Sequence, residues 1–198
     1  MKQRTLRIGI FGGTFDPPHV GHLIIAEQAR QQLRLDKVLF VPAYLPPHKI
    51  QGTDATARQR LAMLRMAVQG YAGLEVETLE IDRKGTSYTV DTLKALKHTY
   101  PSARFFLILG GDNFSQFKSW KSVGEIRRLA KLAVYHRDRN LVRRNGGSVG
   151  SAILLHGATL QISSTMIREK ARKGESIRFL VPRIVERYIR RHKLYARE

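Results

Sequence analysis

Residues 9–22 read GIFGGTFDPPHVGH, and the fold turns on that stretch. The apolar run Leu6 to Phe11 stops at Gly12-Gly13. From Gly21 to Leu35 the apolar residues Ile25, Ala26, Ala29 and Leu33 recur at helical spacing on one face. A short apolar run, two glycines and an amphipathic stretch make a strand-to-helix junction. A second apolar run, Lys37 to Val41, stops at Pro42, which completes a strand, helix, strand unit. Working outward, the periodicity predicts a helix over Ala57 to Gln69, a strand from Leu74 to Ile81 and a helix from Val90 to Thr99. A strand at Arg104 to Leu109, a helix at Lys121 to Ala130 and strands at Leu132 to His136 and Ala152 to Leu155 follow. Such alternation predicts an α/β fold with a doubly wound, mostly parallel sheet and helices on both faces. Ligands then belong outside the carboxyl ends of the strands, where the strand order reverses.

The chain has 198 residues, 42% of them hydrophobic, which is enough for a core and fits one domain over 1–198. Its C-terminal segment, 163–198, is expected to be helical and packed on the rest. Glu175 to Leu194 carries Val181, Ile184, Val185, Tyr188 and Ile189 at helical intervals, with Pro182 suited to a first turn. No apolar run approaches the ~20 residues of a membrane-spanning helix, and the N-terminal apolar stretch is too short for a signal peptide, so no membrane partner and a cytoplasmic location are expected. The absence of cysteine excludes disulfides, thiolate zinc sites and a cysteine nucleophile. Formal net charge is +19, split as +5 over residues 1–99 and +14 over 100–198. That suits polyanionic partners of any kind, nucleic acid or phosphorylated small molecules. Arg183, Arg187, Arg190 and Arg191 share the polar side of the last helix, a solvated face in the plainer reading. Two loops stand out, Pro42 to Thr56 with Pro46-Pro47, and the basic, glycine-containing Asp138 to Ser151.

The first junction carries the chemistry. Its glycines do not fall at dinucleotide-fingerprint spacing and no Gly-Lys-Ser/Thr follows, so it is neither that motif nor a Walker loop. It still has the makings of a phosphate cradle. Gly12 and Gly13 let backbone amides approach an anion, and the helix behind them offers unpaired N–H groups and its positive dipole end. His19 and His22, three apart, can address the same phosphate oxygens, with Gly21 leaving space beside them. Two histidines at that spacing could also ligate a metal, but no third ligand stands at metal spacing, so no protein-held metal is expected. Far downstream, Ile162 to Arg168 reads ISSTMIR: Ser163, Ser164 and Thr165 suit a helix cap or an anion site, with Arg168 one turn on.

GGTFDPPHVGH and ISSTMIR, about 140 residues apart, resemble the two signatures of the nucleotidyltransferase superfamily, (H/T)-x-G-H and I-S-S-T-x-x-R. PAYLPPHK (42–49), the Arg58 and Arg60 helix with RLAML, DRKGTSYTVDTL (82–93), FFLILGGDNFSQFKSWK (105–121), LAVYHR (132–137) and LVPRIVERYI extend the likeness. With these, nearly the whole chain is similar to the bacterial nicotinate-nucleotide adenylyltransferases. The resemblance implies a Rossmann-like fold and adenylyl transfer from ATP to nicotinate mononucleotide, releasing pyrophosphate, with Mg²⁺ carried mainly by the ATP phosphates. It implies direct in-line attack without a covalent enzyme intermediate. The acceptor phosphate is mostly ionised near neutral pH, so no general base is required, and the catalytic task is alignment and charge neutralisation.

By the same resemblance, His19 and His22 are the catalytic pair. ATP is expected on Gly12, Gly13, Thr14, Phe15, His19, His22, Gly110, Asp112, Ile162, Ser163, Ser164, Thr165 and Arg168. Nicotinate mononucleotide is expected on Asp16, Lys49, Tyr88, Thr89, Trp120 and Arg137, with the Tyr88 and Thr89 amides on the carboxylate and Trp120 on the pyridine ring. Trp120 as core and Asp112 as a helix-starting residue are the plainer readings. Two alternatives remain at this level. One is another adenylyltransferase of the superfamily, with nicotinamide mononucleotide or phosphopantetheine as acceptor. The other is a basic nucleic-acid-binding module, which the scattered arginines fit poorly, so no specific nucleic acid is expected. Oligomeric state is open, with room for a homo-oligomer.

Overall fold

The structure, a computed structural model, describes residues 4–47, 53–135, 148–149, 152–157 and 160–196. Its strands are β1 (Arg7–Gly13), β2 (Lys37–Pro42), β3 (Leu74–Val76), β4 (Arg104–Gly110), β5 (Ala130–Tyr135), β6 (Ser148–Val149) and β7 (Ala152–Leu155). The helices are α1 (Val20–Gln32), α2 (Ala57–Val68), α3 (Leu79–Arg83), α4 (Thr89–Thr99), α5 (Gly111–Ser115), α6 (Val123–Leu129), α7 (Ser164–Arg172) and α8 (Arg183–Arg191). The strands form one sheet in the order β3-β2-β1-β4-β5-β7-β6. All neighbours are parallel except the β6–β7 edge pair. The α/β, doubly wound, mostly parallel sheet expected from the alternation, and the Rossmann-like fold implied by the resemblance, are therefore the observed architecture. Strands covered on both faces need apolar residues at every position, which is why Ile8 to Phe11, Val38 to Val41 and Phe105 to Leu109 read as continuous runs and are buried.

Alternate residues of each strand feed two cores. On one face Ile8, Ile10, Leu107, Leu109 and Val134 meet Val90, Leu93 and Leu96 of α4 and Ile126 of α6. On the other, Phe11, Val38, Phe40, Phe106 and Ile108 meet Ala26, Ala29 and Leu33 beside Leu64 and Val68 of α2. A third cluster joins Met63 and Ala67 of α2 to Ile167 of α7 and Val185 and Ile189 of α8, so the C-terminal helices lie on the outer side of α2. The strand order reverses around β1, whose neighbours are β2 and β4. The crevice beyond Gly13 and Gly110 is therefore the switch point at which such sheets take ligands.

Two expectations about elements need correction. The strand predicted over Leu74 to Ile81 ends at Val76, and the chain turns into α3. Glu77 Oε1 accepts from the Leu79 N–H at 3.2 Å, and Thr78 Oγ1 donates to Asp82 at 2.6 Å. Such short-range side-chain bonds favour a helix start over a ladder. The helix predicted over Glu175 to Leu194 spans only Arg183–Arg191, with Pro182 as its N-cap. Proline disfavours helical backbone in the residue before it, and Gly174 and Phe179 both have positive φ, at 70° and 67°. Most of the Asp138 to Ser151 loop lies outside the described residues. Among the described residues no helix is long and apolar enough to cross a membrane.

Candidate active site

The junction after β1 is built around two histidines. His19 is the N-cap of α1, in extended backbone, and its N–H donates to His22 Nδ1 at 3.1 Å. The rings stack, with centroids 3.6 Å apart and planes 24° from parallel. Gly21 lets them do so, since a Cβ at that position would stand 3.0 Å from His19 Nδ1. His22 also rests on an aromatic floor, its ring 5.0 Å from that of Phe15 and 6.0 Å from that of Phe11. Burial, and then the neighbouring His19, push the His22 pKa well below the ordinary 6.5. Because its Nδ1 accepts a hydrogen bond, the neutral ring carries its proton on Nε2, where it serves as a donor.

A cavity of about 370 Å³ opens on this pair, lined by Gly12, Gly13, Thr14, Phe15, Asp16, His19, Gly21, His22, Gly110, Asp112, Ile162, Ser163 and Ser164 among others. It thus gathers the ends of β1 and β4 with the start of α7. Ser163 caps α7 by accepting from the Met166 N–H at 3.1 Å, and Ser164 Oγ donates to the Pro17 carbonyl at 2.9 Å.

A second cavity, of about 380 Å³, lies on the α4 side and shares Gly12, Gly13, Thr14 and Asn113 with the first. Trp120, Tyr88, Thr89, Lys121 and Glu80 are in its wall. Trp120 is half-buried against Phe117, ring centroids 5.5 Å apart, and leaves part of its surface to the cavity. Tyr88 is the N-cap of α4, so the amides of the first turn begin there. Lys121 Nζ sits 4.4 Å from the Tyr88 ring centroid and 3.6 Å from Asp91. Glu80 is buried, and that burial raises its pKa against the opposing hydrogen bonds of Thr92 and Ser87. Among the described residues, no three His, Cys, Asp or Glu converge as metal ligands would.

Most residues singled out in the sequence line one cavity or the other, but Asp16, Arg168 and Thr165 are engaged differently from the expected pattern. The Asp16 carboxylate is 1% exposed and accepts from the amides of Asp54 (3.0 Å) and Ala55 (3.2 Å) and from the Tyr195 hydroxyl (2.7 Å). Burial and the Asp16 charge raise the Tyr195 pKa, which keeps that hydroxyl a donor. Arg168 lines neither cavity; it donates to the Asp16 carbonyl at 2.9 Å and pairs with Asp54 at 2.8 Å. Thr165 is exposed and also lines neither. Lys49 and Arg137 lie outside the described residues. Sequence reasoning missed Asn113, Glu80 and Arg60. Arg60 is fully buried and donates to the carbonyls of Thr14 (2.7 Å) and Tyr44 (3.0 Å), clamping the glycine turn to the strap after β2. Asn113, next to Gly-Gly-Asp, and Arg60, in the helix with RLAML, lay in stretches that carry the resemblance, but neither was given a role.

Against known proteins, residues 10–170 match the cytidylyltransferase-like family. The chain is 42% identical over 190 residues to a probable nicotinate-nucleotide adenylyltransferase of Halalkalibacterium halodurans, covering 96% of this chain and 91% of that one. It is 43% identical over 195 residues to one from Synechococcus, covering 96% and 94%. Among solved structures, the Plasmodium falciparum nicotinic acid mononucleotide adenylyltransferase complexed with NaAD superposes with a TM-score of 0.78 at 19% identity, covering 96% of this chain and 97% of the other. A Vibrio parahaemolyticus structure described as a nicotinate-nucleotide adenylyltransferase gives 0.72 at 21% identity, with 98% of each chain covered.

Proposed function

The chain belongs to the cytidylyltransferase-like family and, within it, to the nicotinate-nucleotide adenylyltransferases, and on that premise we propose how its two cavities divide the reaction. The enzyme transfers the adenylyl group of ATP to nicotinate mononucleotide, yielding nicotinate adenine dinucleotide and pyrophosphate, a step of NAD biosynthesis. The observation that carries the assignment of halves is the pair of cavities meeting at Gly12, Gly13, Thr14 and Asn113. A dinucleotide product needs such a shape, with its phosphates at the shared wall.

In this reading ATP takes the histidine cavity. His22 donates from Nε2 to phosphate oxygen, His19 stacks on it and contributes a second imidazole, and the amides after β1 face the α-phosphate. The α7 N-terminus at Ser163, Ser164 and Thr165 receives the departing pyrophosphate, Gly110 and Asp112 receive the ribose, and Ile162 lies against the adenine. Mg²⁺ would be held mainly by the ATP phosphates and would supply charge neutralisation there. Arg168 and Asp16 act as positioning residues that hold the loop between β1 and α1. The mononucleotide takes the other cavity, its ring on Trp120 and its carboxylate on the amides of Tyr88 and Thr89, with Lys49 and Arg137 serving its phosphate. Its phosphate oxygen attacks the α-phosphorus in line as the bond to pyrophosphate breaks. The protein supplies alignment and charge stabilisation at the shared wall. A cytoplasmic location goes with the free nucleotides consumed.

Trp120→Ala tests the division. It is expected to raise KM for nicotinate mononucleotide by at least tenfold while leaving KM for ATP within twofold. An unchanged KM accompanied by a lower melting temperature assigns Trp120 to the core instead.

A further inference from the structure

Glu80 has no part in the chemistry above, yet its side chain is buried in the wall of the Trp120 cavity. It grips the start of α4 from both sides. Thr92, one turn into the helix, donates its hydroxyl to Glu80 Oε1, and the Ser87 side chain, just before the helix, lies beside the same carboxyl group. The Ser87 oxygen meanwhile accepts from the Tyr44 N–H at 3.0 Å. The Ser87 N–H donates to the Leu45 carbonyl at 3.0 Å, and Leu45 pairs with Thr86 as a short parallel bridge. Pro46 and Pro47, which follow, form part of the same cavity wall. One buried carboxyl group therefore ties together α3, the first turn of α4 and the strap after β2. Between its two hydroxyl partners lie Tyr88 and Thr89.

We propose that Glu80 is a positioning residue that sets the preference for the acid over the amide form of the mononucleotide, by holding the Tyr88 and Thr89 amides in one orientation. This rests on the nicotinate reading of the cavity. A carboxylate accepts from two N–H donors at once, whereas a carboxamide offers one oxygen and turns its own N–H₂ toward the second donor. That distinction survives only while both donors are fixed. If the first turn of α4 can rotate, one donor swings away and the two ligands become alike. The Thr92 hydroxyl bond to Glu80, with Ser87 beside the same carboxyl group, keeps the turn in place.

Trp120 is the only tryptophan, so its fluorescence reports binding of each mononucleotide directly, alongside steady-state kinetics. In Glu80→Ala, Kd and KM for nicotinate mononucleotide are expected to rise by tenfold or more. Its advantage over nicotinamide mononucleotide should fall by a similar factor, with kcat and KM for ATP within twofold. Glu80→Gln, which retains an acceptor for a hydroxyl, should recover most of the loss. Thr92→Val and Ser87→Ala each remove one grip and are expected to raise KM about threefold; they carry the test if Glu80→Ala does not fold. An unchanged acid-to-amide ratio in these variants, against a wild type that prefers the acid, overturns the role of Glu80 alone. A wild type that binds the two mononucleotides equally overturns the nicotinate reading of the cavity and the proposal with it.

Discussion

Replacing His22 with alanine is expected to lower kcat by on the order of 10²-fold or more, with the circular dichroism of the fold unchanged. The size follows from what the ring supplies. Held by the His19 amide at 3.1 Å and by the aromatic floor of Phe11 and Phe15, it is in the proposed mechanism a fixed donor that needs no reorganisation when charge builds at the α-phosphate. His19→Ala should cost a comparable factor, because it removes one imidazole and the face against which the other is stacked. A drop of under about twofold in both variants contradicts the assignment. The depressed His22 pKa adds a second signature. The folded state resists a proton that the unfolded chain accepts below about 6.5, so the unfolded state binds more protons between the folded pKa and that value. Stability is therefore full above pH 6.5 and declines as the pH falls toward the folded pKa. Melting temperature followed from pH 7.5 to 5 should show this slope, and His22→Gln should flatten part of it.

Asp16→Ala is expected to destabilise the protein by on the order of 3 kcal/mol, the usual consequence of leaving buried donors and charge without their carboxylate. Two amides and the Tyr195 hydroxyl lose their acceptor, and buried Arg60 loses a nearby opposite charge. For a chain of this length the melting temperature should fall by roughly 6–12 °C. Tyr195→Phe removes one of those bonds and should cost about 1 kcal/mol, which keeps the argument testable if the first variant does not fold. A raised KM for nicotinate mononucleotide with unchanged melting temperature would instead make Asp16 a direct substrate ligand.

The contrast between His22 and Asp16 shows what this sequence makes legible. The β1-to-α1 junction is local: the apolar run, the double glycine and the paired histidines sit within seventeen residues. Hydrophobic period and motif spacing report directly on such a stretch. The sheet followed for the same reason, since strands covered on both faces must be apolar throughout. Asp16 is different, because its partners are at positions 54, 55 and 195 and no pattern in one sequence joins them. Read alone, an Asp beside a phosphate cradle looks like a ligand. Arg168 is engaged in the same way, its guanidinium bonded to Asp54 and to the Asp16 carbonyl, partners no pattern in one sequence joins to it. Around Glu77 and Thr78 the residues are strand-like in composition, but side-chain bonds close the chain into α3.

The basic surplus also takes on a narrower meaning. Asp54 alone engages two of the basic residues, Arg168 and Arg172. On α8, Arg190 pairs with Glu186, while Arg183 and Arg187 have no acidic partner among the described residues. Charge of this kind raises the local concentration of two polyanionic substrates, an effect on association rate that fades as salt is added.

In the proposed mechanism this enzyme couples ATP to nicotinate mononucleotide across two cavities sharing one wall. Pyrophosphate release from Mg-ATP, measured in parallel with nicotinate mononucleotide, nicotinamide mononucleotide and phosphopantetheine, tests it most directly. Release at the highest kcat/KM with nicotinate mononucleotide, in equal amount to nicotinate adenine dinucleotide formed, is the predicted result. Release that is greater with either other acceptor, or absent with all three, would contradict it.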